Sequence, residues 1–88
     1  MKKYQCPCCG FYTLKGGEFE AGPLFEICDV CFWQYDEVAH DKPDTLLGAN
    51  KVTLNQAKEN YRNFGASEKR FVNDVRKPLP EELPENNK

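Results

Sequence analysis

Four of the five cysteines in the chain fall into two C-x-x-C pairs, Cys6/Cys9 and Cys28/Cys31, with 18 residues between Cys9 and Cys28. The pairs lie in Cys6-Pro7-Cys8-Cys9-Gly10 and Cys28-Asp29-Val30-Cys31-Phe32. A C-x-x-C turn bends the chain so that two sulfurs can meet one ion, with backbone N–H groups pointing at the first thiolate. Pro7 presets the first bend, and Gly10 can adopt the positive φ needed to leave it. Two such turns supply four soft thiolates, a closed tetrahedral shell suited to Zn²⁺. The spacing is that of a zinc site. The ligand set read from the sequence is therefore Cys6, Cys9, Cys28 and Cys31, holding one Zn²⁺ per chain.

A staple of this kind matters because the chain has only 88 residues. A domain of that size buries little more than about 60% of its unfolded surface, so its core is marginal by size alone. A structural zinc contributes roughly 10–16 kcal/mol near neutral pH. The basic start, Met1-Lys2-Lys3, has no apolar run behind it, so it does not read as a signal peptide. No stretch approaches the roughly 20 apolar residues of a membrane helix. The expected compartment is the cytoplasm, where paired cysteines bind metal more often than they form disulfides. An odd cysteine count also argues against a closed disulfide framework.

The formal net charge of −2 does not suggest a general nucleic-acid binder. The charge is unevenly spread. Residues 1–44 carry four Lys against eight Asp/Glu, and residues 51–77 carry seven Lys/Arg against three Asp/Glu. An acidic metal half precedes a basic half.

Along the chain, Phe11-Tyr12-Thr13-Leu14 should leave the first knuckle as a strand. Lys15-Gly16-Gly17 reads as a turn and 19–23 as an irregular excursion. Leu24-Phe25-Glu26-Ile27 should return as a strand, with Phe25 and Ile27 on one face. The aromatic run Phe32-Trp33-Gln34-Tyr35 should cover the thiolates and pack on Phe11 or Phe25. Residues 36–50 read as a polar loop, and its His40 as solvated. Thr53 and Gln56 form a capping box for a helix from 54 to 64, stopped by Gly65. Leu54, Ala57, Tyr61 and Phe64 make its apolar stripe, with Lys58 and Arg62 facing elsewhere. Ser67 is a candidate N-cap for a shorter helix to 76, burying Phe71, Val72 and Val75 and ended by Pro78 and Pro80. The expected fold is a small α+β domain over 1–80, a zinc-ribbon-like β-hairpin with two knuckles packed against two short helices. Residues 81–88 read as a flexible acidic tail.

Competing readings of the cysteines are weaker. A thioredoxin-type C-x-x-C needs a larger α/β pattern than this chain has. Rubredoxin-like iron in a redox protein is a closer rival, since four cysteines also hold iron. Cys8, between two ligands, should point away from the ion as a small apolar filler; the alternatives are a substitute ligand or a reactive thiol. No enzyme is expected, because four cysteines leave no open position for a catalytic water and no nucleophile–base pair is evident.

The residues also resemble the small bacterial cysteine-rich CPCC proteins. The resemblance rests on Cys-Pro-Cys-Cys-Gly at 6–10, Glu-Ile-Cys-x-Val-Cys-Phe-Trp at 26–33 and Gly-Ala-Asn at 48–50. It continues through Leu-Asn-Gln-Ala-Lys-Glu-Asn-Tyr at 54–61, Phe-Gly-Ala at 64–66 and Val-Arg-x-Pro-Leu-Pro at 75–80. Asp29 stands where that pattern looks like Pro, and Gln34-Tyr35 where it looks like Glu-Asp. The resemblance implies a single-domain, cytosolic, metal-binding protein, and by analogy an immunity-type protein that masks another protein's site. The expected function is a non-catalytic zinc-binding protein-interaction module, its partner another protein. The alternative is a nucleic-acid-binding zinc protein using the basic 51–77 half.

Overall fold

In the computed structural model, residues 3–16, 25–46 and 50–87 are described. The turn expected at Gly17, the excursion expected over 19–23, and Leu24, Gly48 and Ala49 lie outside them. Two α-helices are present among the described residues, α1 (Glu37–Asp41) and α2 (Leu54–Phe64). Three single 3₁₀ turns follow, at Lys69–Phe71, Pro80–Glu82 and Pro84–Asn86.

The expected β-hairpin is not formed, and the α+β zinc-ribbon assignment is corrected accordingly. Among the described residues there is no strand and no sheet, only two isolated antiparallel bridges, Tyr4–Leu14 and Ile27–Gln34. The physical reason is where the hydrogen bonds go. Among the described residues, 11–14 do not pair with 25–27. Each arm turns back on its own knuckle. Tyr4 N–H donates to Leu14 O at 2.7 Å and Cys6 N–H to Phe11 O at 2.8 Å, closing the first knuckle. Cys28 N–H donates to Trp33 O at 2.9 Å and Tyr35 N–H to Glu26 O at 2.8 Å, closing the second. Between the arms the Glu26 carboxylate accepts from Lys15 N–H at 2.9 Å and Gly16 N–H at 2.8 Å. A side chain thus occupies the place where strand pairing was expected.

Helix α2 forms over the expected residues and for the expected reasons. Gln56 N–H donates to Thr53 Oγ1 at 3.1 Å, and Thr53 N–H to Gln56 Oε1 at 2.8 Å, which is the reciprocal capping box. Gly65 takes φ 82° and its N–H closes on Tyr61 O. Leu54 and Ala57 are buried and Tyr61 partly so, whereas Phe64 at the end of the stripe is exposed. Helix α1 was not expected in the polar loop. Its cap is Asp36, whose Oδ1 accepts from Val38 N–H at 2.9 Å and Ala39 N–H at 3.2 Å. It buries Ala39, and His40 on it lies edge-on to Tyr35, ring centres 5.8 Å apart.

The second helix expected over 67–76 is also corrected. Only the 3₁₀ turn Lys69–Phe71 forms there. The Ser67 hydroxyl caps nothing, the N–H groups of Phe71, Val72 and Asp74 close three residues back rather than four, and the backbone at both ends of the segment is tied to the second knuckle. Ser67 N–H donates to Cys31 O at 2.7 Å and Arg76 N–H to Asp29 O at 3.1 Å. Val72 is exposed, and Phe71 packs on Phe32, ring centres 4.7 Å apart. Past 80, Glu82 does not behave as a tail residue: its side chain is buried and its carbonyl accepts from Tyr12 N–H at 2.7 Å.

One core results. It gathers Cys6, Cys8, Leu14, Cys28, Val30, Cys31, Trp33, Ala39, Leu54 and Ala57, with Tyr4, Phe11, Tyr35, Val52 and Tyr61 packed on its border. The cysteines are inside the hydrophobic core, and the buried face of α2 closes over them.

Candidate metal centre

Each knuckle is a tight turn that lifts its two sulfurs to one side. Gly10 N–H donates to Cys6 O and Phe32 N–H to Cys28 O, both at 2.8 Å, so the two turns repeat one hydrogen-bond pattern. Leaving such a turn needs a left-handed residue. Gly10 supplies it at φ 84°, and Phe32 does so at φ 67° in the second knuckle. Val30 N–H points at Cys28 Sγ across 3.4 Å.

The turns bring Cys6, Cys9, Cys28 and Cys31 together so that their four Sγ atoms lie within 4.8 Å of one another. Cys6 Sγ is 3.6 Å from Cys31 Sγ, and Cys9 Sγ is 3.7 Å from Cys28 Sγ. A tetrahedron of sulfurs at the zinc–thiolate length of about 2.3 Å has edges of about 3.8 Å. The close pairs match that edge, so the donor set fits a tetrahedral thiophilic ion. All five cysteines are free thiols. Cys6, Cys28 and Cys31 are wholly buried, and Cys9 alone of the four is half-buried.

The sulfurs shift one another. Hydrogen bonds from Cys31, then Cys6 and Cys9, with a smaller share from the Thr13 hydroxyl, pull the Cys28 thiol far below the usual thiol range. Contact with Cys28 is the largest cause holding the Cys31 and Cys9 thiols up, and burial acts in the same direction. A divalent ion bound among the sulfurs would replace thiol protons, which is why thiolate sites release protons as they load. Burial first, with the neighbouring cysteines acting in the same direction, pushes the Tyr61 phenol up to about 12.

Cys8 is outside the set of four. It was expected to point away from the ion. It is buried in the core, and its thiol is one of the neighbours that hold Cys31 up. His40 is exposed and does not join the sulfurs. The aromatic run divides. Trp33 enters the core, Phe32 goes to Phe71 and Tyr35 to His40, while Phe25 is left 69% exposed. Phe11 instead meets Tyr61 edge-on, ring centres 6.4 Å apart.

Several supporting residues carry no motif. Thr13 Oγ1 lies 2.9 Å from Cys28 Sγ and can donate to its thiolate. The buried Asn50 amide pairs with the Gln34 backbone in both directions, accepting from its N–H at 3.1 Å and donating to its O at 2.8 Å. It thereby fixes the chain leaving the second knuckle. Arg76 and Glu82 form a bidentate ion pair, both contacts at 2.8 Å. A threonine two residues past a C-x-x-C-G-Phe run is a local signal for the first of these. The other contacts span sequence distances that no local pattern marks.

Fold and site together define a small cysteine-cluster protein whose core holds four thiols positioned to bind one metal ion. No helix is long and apolar enough to cross a membrane among the described residues. The chain belongs to the cysteine-rich CPCC family, whose model matches residues 4–82. No curated protein matches it.

Proposed function

We propose that this protein is a non-catalytic zinc protein, with Cys6, Cys9, Cys28 and Cys31 holding one Zn²⁺ as a structural cross-link, and that its surface engages another protein. The observation that carries the reading is the convergence of the four sulfurs within 4.8 Å inside the core. Four thiolates satisfy a tetrahedral ion completely, which leaves no position for a substrate or a reacting water. Bound there, Zn²⁺ supplies a redox-inert link between the two knuckles. A cytoplasmic setting agrees with free, metal-ligating thiols.

The preference for a protein partner over nucleic acid rests on charge and on exposed apolar surface. All three arginines of the basic half are ion-paired: Arg62 with Glu59, Arg70 with Glu68, and Arg76 with Glu82. Phe25 and Ile27 are large apolar side chains left 69% and 48% exposed. Such residues suit a protein interface, where aromatic anchors dominate the energy. An immunity-type role, masking a site on the partner, is the form of this reading that the family resemblance suggests.

Elemental analysis of freshly reduced protein should give about one Zn²⁺ per chain. Iron at that stoichiometry would turn the reading to a rubredoxin-like redox protein, and no tightly bound metal would end it. The partner class is tested by mobility shift with random duplex and single-stranded oligonucleotides. Little binding is expected at physiological salt. Tight binding that falls with salt at a log–log slope of about −0.9 per duplex phosphate contacted, and that Lys58→Ala with Arg62→Ala weakens, would favour nucleic acid.

A further inference from the structure

One C-terminal segment is tied to both halves of the metal centre. At one end Arg76 N–H donates to the carbonyl of Asp29, between Cys28 and Cys31, at 3.1 Å. At the other the carbonyl of Glu82 accepts from Tyr12 N–H, just past the first knuckle, at 2.7 Å. The two ends are joined to each other by side chains. The Arg76 guanidinium grips the Glu82 carboxylate through Nη1–Oε1 and Nη2–Oε2, both at 2.8 Å. Glu82 Oε1 also accepts from Leu79 N–H at 2.8 Å, which folds the chain between them. The Arg76 guanidinium further reaches the Asp29 carboxylate at 3.9 Å.

The burial is asymmetric. The Glu82 side chain is 2% exposed and that of Arg76 is 38% exposed. A carboxylate this buried is tolerated only while its hydrogen bonds are made, so losing the arginine leaves a charge that must be rehydrated. Rehydrating Glu82 means moving it out of the protein, and its carbonyl then leaves Tyr12. The sulfurs themselves are held by two knuckles that share no backbone ladder, since each closes its hydrogen bonds on itself. Among the described residues the knuckles are linked by side-chain contacts, Thr13–Cys28 and the Glu26 carboxylate with the Lys15 and Gly16 N–H groups, and by this segment.

We propose that residues 76–82 are a clasp across the two knuckles, locked by the Arg76–Glu82 pair, and that opening of the clasp sets how fast the four-cysteine site gives up its metal. The proposal rests on the metal-holding reading of the four cysteines and adds what governs retention. Arg76 and Glu82 act here as positioning residues: they touch no sulfur and hold the turns that carry them.

The test is release of Zn²⁺ from the loaded, full-length chain into an excess of chromogenic chelator, with emission of the single tryptophan, Trp33, followed in parallel. Glu82→Gln and Arg76→Met should release metal about tenfold faster than wild type, the lower end of the effect expected for groups that support metal ligands. Arg76→Lys, which keeps the charge and loses the fork, should fall between. Glu59→Gln, which breaks an exposed pair on α2, should not change the rate. Trp33 emission should be unaltered before release in all of these. Wild-type rates in both Glu82→Gln and Arg76→Met would overturn the clasp. So would faster release that only tracks prior exposure of Trp33, since that is general loosening. Loading wild type with Co²⁺ separates the two ideas. Absence of a tetrahedral thiolate spectrum sinks the metal reading and the clasp with it, whereas unchanged variants beside a normal wild-type spectrum sink the clasp alone.

Discussion

Gly10 and Phe32 occupy equivalent places, one residue past the second cysteine of each knuckle, and both have positive φ. Glycine adopts that conformation freely, while for a bulky residue it costs about 1–2 kcal/mol. Phe32 is held there by its contact with Phe71, whose ring also carries the Arg70 guanidinium 4.4 Å from its centre. The strain and the stack can be separated. Phe32→Ala keeps the strain and loses the contact, whereas Phe32→Gly loses both. Phe32→Gly should therefore be more stable than Phe32→Ala by about 1 kcal/mol, read from denaturation midpoints of the loaded proteins. Equal midpoints would mean that the backbone at this position is relaxed. Cys8 and Cys9 make a second residue-level contrast, since they are adjacent and only Cys9 belongs to the set of four. Cys8→Ser should retain a full equivalent of metal at a cost of about 1–3 kcal/mol for burying a hydroxyl in the core. Cys9→Ser should lose tight metal binding. Equal metal loss in the two variants would make Cys8 a ligand.

At the scale of elements, α2 and the knuckles were legible because their signals are local. A capping box, an apolar stripe and a left-handed glycine all act within one or two turns of chain, and two C-x-x-C turns name the four sulfurs that come together. The misplaced elements were decided by contacts between distant residues. β-Propensity in Phe11-Tyr12-Thr13-Leu14 is real, but Tyr4 and Cys6 take its hydrogen bonds before any returning strand can. Ser67 looks like an N-cap, but its hydroxyl is buried without a partner and its N–H ties it to Cys31 O, and only a 3₁₀ turn follows. Asp36 was a readable cap that the polar composition of 36–50 concealed. Glu82 looked like one acid in an acidic tail, and the Tyr12 N–H on its carbonyl and its side-chain partner 6 residues earlier show otherwise. That side-chain partner sets a pH dependence. Hydrogen bonds from Arg76 first, then the Leu79 N–H, hold the Glu82 carboxyl below its ordinary value of 4.5, against the opposing effect of burial. A carboxyl depressed in the folded state contributes stability above its unfolded value, and that contribution is lost as pH falls through the folded value. The stability gap between wild type and Glu82→Gln should be constant from about pH 7 to pH 5 and close as pH falls below that ordinary value of 4.5. Taking the difference removes the loss of metal that acid causes in both proteins. A gap that widens as pH falls would contradict the assignment.

Across the whole molecule, the core and the candidate metal centre are the same object. Four of the ten clustered core residues are cysteines, and three of those are in the set of four. Among the described residues the apolar remainder has Leu14, Val30, Trp33 and Leu54 as its largest members. Helix α1 has 5 residues and α2 has 11, and isolated helices shorter than about 12–15 residues are marginal in water. α2 is therefore held by packing Leu54 and Ala57 against the knuckles. A bound zinc contributes roughly 10–16 kcal/mol, which equals or exceeds the usual net stability of a domain, about 5–15 kcal/mol. Removing the ion should then unfold more than the knuckles. On titration with a strong chelator under reducing conditions, helical circular dichroism and Trp33 burial should be lost together, in one transition, in step with metal release. Restoring Zn²⁺ should recover both. Retention of the α2 signal with Trp33 still buried after complete chelation would show that the apolar contacts suffice, and the metal would then be a passenger in a fold that does not need it.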